Sequence, residues 1–339
     1  MTNRERVLAT LRHQQPDRIP YHIAFTQQAQ MRFQAYSGAG RLESLGNCLT
    51  GNCLTMLDME PGNAWREAAP DIWEDQFGVQ WNRSVDKDIG VVCNTCVTPD
   101  NVRTYRLPDP DDPARYQAPR NSLAAGKGDR FVVANLGFSL FERAWTLAGM
   151  ENVLVAMVAD PDFINTLLDR ILAFNLRVIE NACRLDIDAM RFGDDWGQQS
   201  GLVMGPELWR QFIYPRIRQM YQAVKARNKF VFIHSCGKVQ EIFPDLIEAG
   251  LDVFNPFQPE VMDPVAMKKQ FGRRLVFFGG ISTQRLLPFG TVAQVKREVR
   301  ELLKVVGEQG GYIAAPAHDI PGDAKPENIA AMLDVLQNQ

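Results

Sequence analysis

Short apolar runs alternate with longer segments of helical periodicity through most of the chain. This alternation is typical of βα units and predicts an α/β protein with a parallel sheet. Eight runs are candidate strands, of which the second is the weakest: residues 18–25, 54–59, 131–136, 189–193, 229–233, 252–256, 275–279 and 311–315. Eight such strands predict a closed (β/α)8 TIM barrel, with residues 1–339 forming one domain.

Helix signals fill the segments between these runs. Asp160 is a candidate N-cap because Pro161 follows it at the first helical position. A second helix is predicted to begin in the same way near residue 204, and others over residues 244–249, 264–271, 292–306 and 326–336. The region 73–120 departs from this pattern. Two extended segments around a turn at Asp86 and Lys87 predict an antiparallel hairpin there, inserted after the second strand.

Composition and charge narrow the class of partner. Hydrophobic residues make up 45% of the 339 positions and charged residues 23%, which is ordinary for a soluble protein. A net charge of -3 does not indicate the basic surface that binds nucleic acid or an anionic membrane. No run is long enough to span a membrane, so a cytoplasmic location with reduced thiols is expected. Cys93 and Cys96 form a lone CxxC motif, which alone does not indicate a metal or redox site.

The clearest candidate site follows the apolar run Phe230-Val-Phe-Ile-His-Ser-Cys-Gly237. Residues two apart on a strand point to the same side, so His234 and Cys236 are expected to share one pocket. A later apolar run is followed by His318, one of four histidines in the chain. Two imidazoles and a thiolate are ligands that zinc prefers, and they leave a fourth position open. The alternative is that Cys236 packs as a small hydrophobe.

Acidic residues follow other predicted strands. Active sites of βα barrels lie at the carboxyl ends of the strands, so these side chains are expected to converge with the metal ligands. Asp194 and Asp195 are candidate catalytic residues that would orient a ligand imidazole, supply a fourth ligand or transfer a proton. Salt bridges to Arg143 or Arg191 are the alternative. Glu142 is either a third acid of the site or the N-terminal charge of a helix.

Aromatic and small residues complete the predicted substrate-binding set. Phe138, Trp196 and Phe257 lie near the same strand ends and would suit an aromatic ring, although each could instead cap the core. Gln258 and Gly280 follow two later strands.

Four stretches of the chain together resemble the uroporphyrinogen decarboxylase superfamily: Phe232-Ile-His-Ser-Cys-Gly237, Asn255-Pro-Phe257, Gly279-Gly-Ile-Ser-Thr283 and Ala315-Pro-Ala-His-Asp-Ile320. The chain is more specifically similar to the branch of zinc methyltransferases that act with corrinoid proteins and thiols such as coenzyme M. This resemblance implies a (β/α)8 barrel and a zinc site made of a His-x-Cys pair and a distant cysteine. His234 and Cys236 match the pair, and His318 stands where the third ligand cysteine falls.

The resemblance implies an enzyme that moves a methyl group between a corrinoid (cobalamin) protein and a thiol or methoxylated substrate, the latter by O-demethylation. Zinc and a corrinoid protein are the implied cofactor and partner, and a homodimer is a candidate assembly that the resemblance does not decide. The first alternative is decarboxylation of uroporphyrinogen, since His318 also falls where that enzyme has a Gly-His-Gly segment. Its arginine-rich N-terminal segment has no counterpart, because residues 26–32 supply Arg32 alone, and a polycarboxylate needs several guanidiniums. A non-catalytic subunit that binds a corrinoid protein is the second alternative.

Overall fold

The computed structural model describes residues 1–38, 40–50 and 65–339 of the chain. Its strands, numbered in chain order, are β1 (Arg66–Ala69), β2 (Ile72–Glu74), β3 (Gln80–Asn82), β4 (Val91–Val92), β5 (Val133–Leu136), β6 (Ala189–Gly193), β7 (Gly197–Gln198), β8 (Gly201–Leu202), β9 (Phe230–His234), β10 (Val253–Phe257), β11 (Val276–Ile281) and β12 (Tyr312–Pro316).

The α-helices are α1 (Asn3–Leu11), α2 (Gln27–Ser37), α3 (Gly40–Glu43), α4 (Gln117–Ala124), α5 (Phe141–Ala148), α6 (Met150–Ala159), α7 (Pro161–Ala182), α8 (Gly205–Leu208), α9 (Tyr214–Lys225), α10 (Phe243–Ala249), α11 (Pro264–Phe271), α12 (Leu286–Phe289), α13 (Val292–Val305) and α14 (Pro326–Gln337). Short 3-10 helices span Pro113–Tyr116 and Gln240–Ile242. Within the described ranges, we find no helix with the length and apolar character that crossing a membrane requires.

Six parallel strands form the central sheet, in the order β12-β11-β10-β9-β6-β5. All six lie where the apolar runs predict strands, within a residue or two at each end, which confirms the α/β class. Residues 18–25 do not form the predicted strand. Tyr21 instead makes an isolated parallel bridge to Ala314, because this segment hydrogen-bonds its neighbours only at intervals. The predicted strand at 54–59 lies outside the described residues.

Two short segments connect the edges of this sheet. On one side the Tyr21 segment bridges β12, and on the other Leu49 bridges Phe131, just before β5. Between them, the backbone N–H of Cys48 donates to the carbonyl of Tyr21 at 3.0 Å. Hydrogen bonds therefore lead from one edge strand of the six, through both segments, to the other edge.

The sheet is buried on both faces, as parallel sheets usually are. We call the apolar residues of one face the inner cluster; they comprise Val7, Leu11, Cys48, Leu49, Phe131, Val133, Ala189, Phe232, Val253, Val276, Phe278, Ile313 and Ala315. Intervening residues such as Val231 and Ile233 of β9 belong to a second, larger cluster with the helices. Side chains on β9 alternate between the two clusters because successive residues of a strand face opposite sides.

The helix signals are largely correct. The Asp160 side chain accepts a hydrogen bond from the backbone N–H of Phe163 at 3.1 Å, which confirms the predicted cap of α7. The second predicted helix begins at Gly205 and passes through a π-helical turn, Trp209–Ile213, before α9. Pro215 lies in the first turn of α9 and has no N–H to donate to that turn.

The predicted hairpin is present, with β3 and β4 paired antiparallel. It is part of a four-stranded sheet of order β1-β2-β3-β4, whose first two strands the sequence does not indicate. A buried ion pair of 3.2 Å joins Asp75, just after β2, to Arg143 of α5. The guanidinium of Arg143 also lies 3.9 Å from the ring centre of Phe77. These contacts hold the inserted sheet against the helix that follows β5.

Candidate metal centre

His234, Cys236 and His318 lie together at the carboxyl ends of the parallel strands. His234 ends β9, Cys236 follows two residues later, and His318 comes two residues after β12. One potential ligand atom from each residue lies within 4.8 Å of the other two. His234 Nε2 and Cys236 Sγ are 3.5 Å apart, and zinc bonds at a tetrahedral angle would separate these atoms by about 3.6 Å. His318 is exposed and the other two are half-buried, so the cluster faces solvent on the His318 side.

Asn255 fixes the orientation of the His234 ring. The two residues are directly opposite on β10 and β9, and Asn255 Oδ1 lies 2.6 Å from His234 Nδ1. The Asn255 amide donates through Nδ2 to the Phe278 carbonyl at 3.0 Å, so its oxygen must face the histidine. His234 Nδ1 therefore carries the proton and donates, which leaves Nε2 unprotonated towards Cys236. This is how outer partners of a metal-binding histidine usually select its tautomer.

The neutral ring of His234 is ready to bind a metal, whereas the thiol of Cys236 must first lose its proton. Burial and the neighbouring charge of Arg191 lower the pKa of His234 to about 3, so its ring is neutral at pH 7. Burial and the charge of Asp195 raise the pKa of the Cys236 thiol well above its usual value. Zinc binds the thiolate, so binding at neutral pH must release the thiol proton.

Asp195 and Glu142 are the carboxyl groups beside this thiol. Asp195 Oδ1 accepts a hydrogen bond from the backbone N–H of Cys236 at 2.8 Å, and the charge of its carboxylate acts on the thiol. Burial, reinforced by the charges of Asp195 and Asp194, raises the pKa of Glu142 well above its usual range. Two carboxyl groups in such proximity disfavour a double negative charge. Glu142 thus lies in the first turn of α5, close to Asp195, and its role as an acid of the site stays a prediction.

Asp194 occupies a different position from its neighbour. It is fully buried, and its oxygens accept the backbone N–H groups of Leu140, Phe141 and Glu142 and the indole N–H of Trp196. Burial raises its pKa to about 6, against the effect of these four donors. The contacts place Asp194 in the structural support of α5 and not beside the metal ligands. The alternative salt bridge to Arg143 is wrong, because Arg143 pairs with Asp75.

Gln258 supports the loop that carries Cys236. It is buried, and its Oε1 accepts the backbone N–H of Gly237 at 2.7 Å. Gly237 has φ of 85°, and a Cβ there would lie 2.4 Å from the carbonyl carbon of Gly197. Only glycine allows this close approach of two backbones. Gln258 thus holds the ligand loop, and its expected contact with substrate stays a prediction.

Two other predicted substrate-binding residues are packed in the core of the protein. Trp196 and Phe257 are completely buried. Trp196 packs edge-on against Trp209, with ring centres 5.4 Å apart, and Phe257 stacks on Phe277 at 4.4 Å. Both contribute to the core, so their expected contact with substrate is corrected.

Gly280 and Phe138 complete the predicted set. A Cβ on Gly280 would point at Tyr312 and at Leu302 of α13, which is the helix side of the sheet; its expected contact with substrate stays a prediction. Phe138 is half-buried and meets Trp81 and Trp145 edge-on. It alone of the predicted substrate-binding aromatic residues keeps exposed surface.

A polar group that the sequence interpretation missed lies below the metal ligands. Arg191 points to the inner face of β6, and its Nη2 donates to Asn255 Oδ1 at 3.1 Å. It borders a cavity of about 20 Å³, which we call the Arg191 cavity; its lining residues are His22, Leu49, Thr50, Val133, Asn135, Arg191, Phe232 and Phe278. The sequence feature that could have revealed Arg191 is its charge in the middle of an otherwise mostly apolar strand, Ala189-Met-Arg-Phe-Gly193.

The CxxC pair lies apart from the ligand cluster. The thiol of Cys96 donates to the Gly78 carbonyl at 3.1 Å and that of Cys93 to the Gln80 carbonyl at 3.4 Å. In the part of the chain that the structure describes, His234, Cys236 and His318 are the one group with metal-binding geometry. The CxxC motif thus belongs to the inserted sheet.

Comparison with known proteins gives one family and two kinds of relative. The family profile described as Uroporphyrinogen decarboxylase (URO-D) matches residues 74–339. "Methylcobamide:CoM methyltransferase MtaA" of Methanosarcina barkeri is 30% identical over 131 residues, which are 39% of this chain and 36% of the relative. The match therefore spans about a third of that relative's length. A uroporphyrinogen decarboxylase of Chlorobium limicola is 25% identical over 254 residues, 69% of this chain and 67% of the relative.

A solved structure shares the whole fold. A methyltransferase from Methanosarcina mazei superposes over 100% of this chain and 99% of its own, with a TM-score of 0.74 and 18% identity. At this identity the likeness concerns the fold alone.

Proposed function

The chain belongs to the uroporphyrinogen decarboxylase (URO-D) family, and from this premise we propose that it is a zinc-dependent methyltransferase. It would move a methyl group between a corrinoid protein and a thiol or methoxylated small molecule. The observation that carries this proposal is the cluster of His234, Cys236 and His318, whose potential ligand atoms lie within 4.8 Å of one another. The methyltransferase of Methanosarcina barkeri supports the reaction class, since 39% of this chain aligns with it.

The residues present fit zinc. Two imidazoles and one thiol form a donor set of the kind that catalytic zinc sites use, and the exposed side of His318 leaves room for a fourth ligand. When bound there, zinc would supply Lewis acidity, which makes a thiol nucleophilic at neutral pH or polarises a methoxy oxygen. A set with one thiolate carries less negative charge than a set with two. This favours the methoxylated substrate slightly.

The chain's own residues prepare this site. Asn255 keeps Nε2 of His234 unprotonated and directed at the ligand position. The carboxylate of Asp195, which accepts the backbone N–H of Cys236, would take the thiol proton as the metal binds. Glu142 lies beside Asp195 with a raised pKa, so it would hold a proton more readily than an ordinary carboxyl group and donate it to a leaving group.

Decarboxylation of a tetrapyrrole is the second candidate. It is favoured by the longer alignment with the Chlorobium limicola enzyme, over 254 residues. The segment after Phe25 speaks against it, because Arg32 is its one arginine and donates to the backbone carbonyl of Gly322. A substrate with many carboxylates needs several fixed guanidiniums.

We infer further that the sheet is a closed (β/α)8 barrel and one domain. The six parallel strands have the Tyr21 and Leu49 segments between their edges, which together give eight positions around a ring. The inner cluster would then fill the interior, and the metal centre would lie at its carboxyl mouth, where such barrels carry their active sites.

Metal analysis and a cobalt assay test the proposal. The purified protein should contain zinc, and with a reduced corrinoid protein and methoxylated aromatics it should methylate cobalt, which is visible in the cobalt spectrum. The reverse assay offers methylated corrinoid and thiols. Separate incubation with uroporphyrinogen should yield no coproporphyrinogen.

Three outcomes separate the candidates. Coproporphyrinogen formed at an enzymatic rate would favour the decarboxylase. Zinc with no turnover in any assay, but with tight binding of a corrinoid protein, would favour a non-catalytic subunit. A protein that neither contains nor binds zinc would contradict the methyltransferase.

A further inference from the structure

A groove of about 640 Å³ lies beside the amino end of β12, away from the metal centre. Its walls are the segment 15–19, the last turns of α13 with the turn at Gly307, and the last turns of α14. We call it the helix-end groove. Since α13 leads into β12, its C-terminal end lies where this strand begins, whereas His318 follows the end of the strand. A strand of five residues is about 16 Å long, so the groove is separate from the metal centre.

Three basic side chains line this groove without an ion pair. They are Arg18, Arg300 and Lys304, and among the described residues no carboxylate lies within salt-bridge distance of them. Arg18 Nε is also sealed from solvent and has no hydrogen-bond partner. Arg300 and Lys304 are one turn apart on the same face of α13, where two like charges destabilise a helix. A bound anion would remove this repulsion.

Two acidic residues of the groove are already paired with other cations. Asp17 binds Arg6 at 2.7 Å, and Asp334 binds Lys296 at 2.7 Å. Arg300 acts on Asp334 only at longer range. These carboxylates are therefore not the partners that the basic side chains of the groove lack.

Glu308 and two helix ends provide the remaining negative charge. Glu308 is exposed at the edge of the groove, and the C-terminal ends of α13 and α14 each act as about half a negative charge. Lys304 lies in the last turn of α13, where it offsets that helix end. These opposing charges do not balance three cations, so the groove keeps an excess of positive charge.

The rest of the groove suits the body of a small molecule. Ile19, Leu303 and Val335 supply apolar surface, and the amides of Gln15 and Asn338 supply polar groups. Small-molecule sites usually combine apolar walls with a few polar groups, and a volume of about 640 Å³ is ordinary for them.

Hydrogen bonds join the walls of the groove to one another. Gln339 accepts the backbone N–H of Ile19 at 2.9 Å and donates to its carbonyl at 3.1 Å. Gln15 Oε1 accepts the backbone N–H of Gln309 at 2.7 Å. The segment 15–19 is thus tied both to the end of α14 and to the turn after α13. A groove that is formed in advance costs a ligand less ordering entropy.

We propose that the helix-end groove binds a small phosphorylated metabolite, with its phosphate on Arg18, Arg300 and Lys304. A phosphate monoester carries about 1.5 to 2 negative charges at neutral pH, which matches an excess of positive charge. The planar guanidinium groups of arginine suit phosphate because they form paired, charge-assisted hydrogen bonds with it. This inference does not depend on the proposed methyl transfer, since it concerns a second site at the other end of β12.

Calorimetric titration with matched probes tests the inference. AMP is compared with adenosine, and glucose 6-phosphate with glucose, so that each pair differs by one phosphate. At least one phosphorylated probe should bind about tenfold more tightly than its partner, and the tighter of the two identifies the body of the ligand. Inorganic phosphate should bind more weakly than that probe, because it makes no contact with the apolar walls.

Salt and zinc provide two further readouts. The affinity for the phosphorylated probe should fall when salt is raised from about 0.05 M to about 0.5 M, because the cations involved are largely exposed and therefore screened. Zinc-free protein should bind the probe as tightly as zinc-loaded protein does. Affinity lost with the zinc would instead assign the phosphate to the metal centre.

Substitutions and hydrogen exchange locate the site. R300Q and K304Q should each weaken binding of the phosphorylated probe by about fivefold to tenfold, and both change exposed residues, so folding should be retained. R297Q is the matched control, since Arg297 is exposed on the same helix but does not line the groove; it should behave as wild type. Amide hydrogen exchange should slow on binding in the last turns of α13 and α14.

Four results would overturn the inference: no binding of either phosphorylated probe, equal affinity within both pairs, unchanged affinity in R300Q and K304Q, or binding that requires zinc. The proposed function is decided separately by zinc analysis and the cobalt assay. A protein that transfers methyl groups but shows no preference for phosphorylated probes keeps the function and loses the helix-end site. The reverse result keeps the site and loses the function.

Discussion

The inner face of the sheet has two layers of opposite character. Val133, Ala189, Phe232 and Val253 belong to the apolar inner cluster, on β5, β6, β9 and β10. Two residues further along the same four strands come Asn135, Arg191, His234 and Asn255. Moving two residues along each strand, to the next side chain on the same face, therefore leads from a packed apolar layer to a layer of hydrogen-bonding and charged groups.

This difference shows how one sheet separates stability from chemistry. The apolar layer excludes water and fixes the strands, and the polar layer carries partly exposed groups such as Arg191 and His234. Removing a side chain from the first should cost folding free energy, and removing one from the second should cost metal or substrate affinity. In βα barrels the carboxyl end generally carries catalysis and the opposite end stability.

Cys236→Ala should produce the largest effect of all, on the polar layer. We expect the protein to lose its zinc and the methyl-transfer rate to fall by about a thousandfold or more, about 4 kcal/mol of transition-state stabilisation. The melting temperature of the zinc-free protein should change little. Cys183→Ala, which alters a half-buried cysteine at the end of α7, is the control. A large loss of stability with zinc retained would mean that Cys236 is a packing residue.

Phe131→Ala removes a ring from the apolar layer. Phe131 is completely buried, and its ring centre lies 6.1 Å from that of Phe232. Urea denaturation should show a loss of about 3–5 kcal/mol in the free energy of unfolding, with one zinc still bound per folded molecule. Phe289→Ala, at a side chain 74% exposed, should change stability little. Loss of zinc from folded Phe131→Ala protein would contradict the separation of the layers.

Acidification should destabilise the zinc-free protein through His22, at the boundary of the two layers. Its folded-state pKa of about 4 lies below the unfolded value of about 6.5. The unfolded chain therefore binds the proton first as the pH falls. Stability is fully present above about pH 6.5 and declines towards pH 4, by about 2 kcal/mol between pH 7 and 5.

His22→Gln tests that assignment, because glutamine keeps a donor and an acceptor but does not titrate. Free energies of unfolding at pH 7 and pH 5, measured with urea, should differ less in the variant than in the wild type. Identical differences would show that His22 does not carry this pH dependence.

Asn255→Leu should give the smallest of these effects. It removes the acceptor that orients His234, and losses of such outer partners weaken metal binding by about tenfold or somewhat more. Competition with a zinc chelator measures the affinity, and Asn255→Asp, which keeps an acceptor at this position, is the matched comparison. Equal zinc affinity in Asn255→Leu and wild type would show that the hydrogen bond does not control the tautomer.

The sequence predicts best what neighbouring residues determine. The strand at Ala189–Gly193 and the capped start of α7 follow from an apolar run and from Asp160 before Pro161. The proximity of His234 and Cys236 follows from the strand period. Partners distant in sequence are harder to predict: the bridges of Tyr21 and Leu49 depend on where other strands lie, and β1, with every residue exposed, has no apolar alternation.

Side-chain direction explains the errors at the site. Trp196 follows the end of β6 and Phe257 is the last residue of β10, but a position near a strand end does not specify which way a ring points, and both are buried in the core. Arg191 lies in a strand whose other residues are mostly apolar, and the sequence suggested only a salt bridge for it. Its contact with Asn255 depends on β9, which lies between β6 and β10, and no local pattern encodes that arrangement.

The carboxylate of Asp194 has a consequence for phosphorylated compounds. The first N–H groups of a helix commonly form a phosphate cradle, aided by the helix dipole. At the start of α5, the N–H groups of Leu140, Phe141 and Glu142 are already taken by Asp194. A phosphate approaching this helix would meet a negative charge that already accepts these three N–H groups. The carboxylate of Asp194 thus occupies the position that a bound phosphate would take, and metabolites that carry phosphate esters are excluded from this end of the helix.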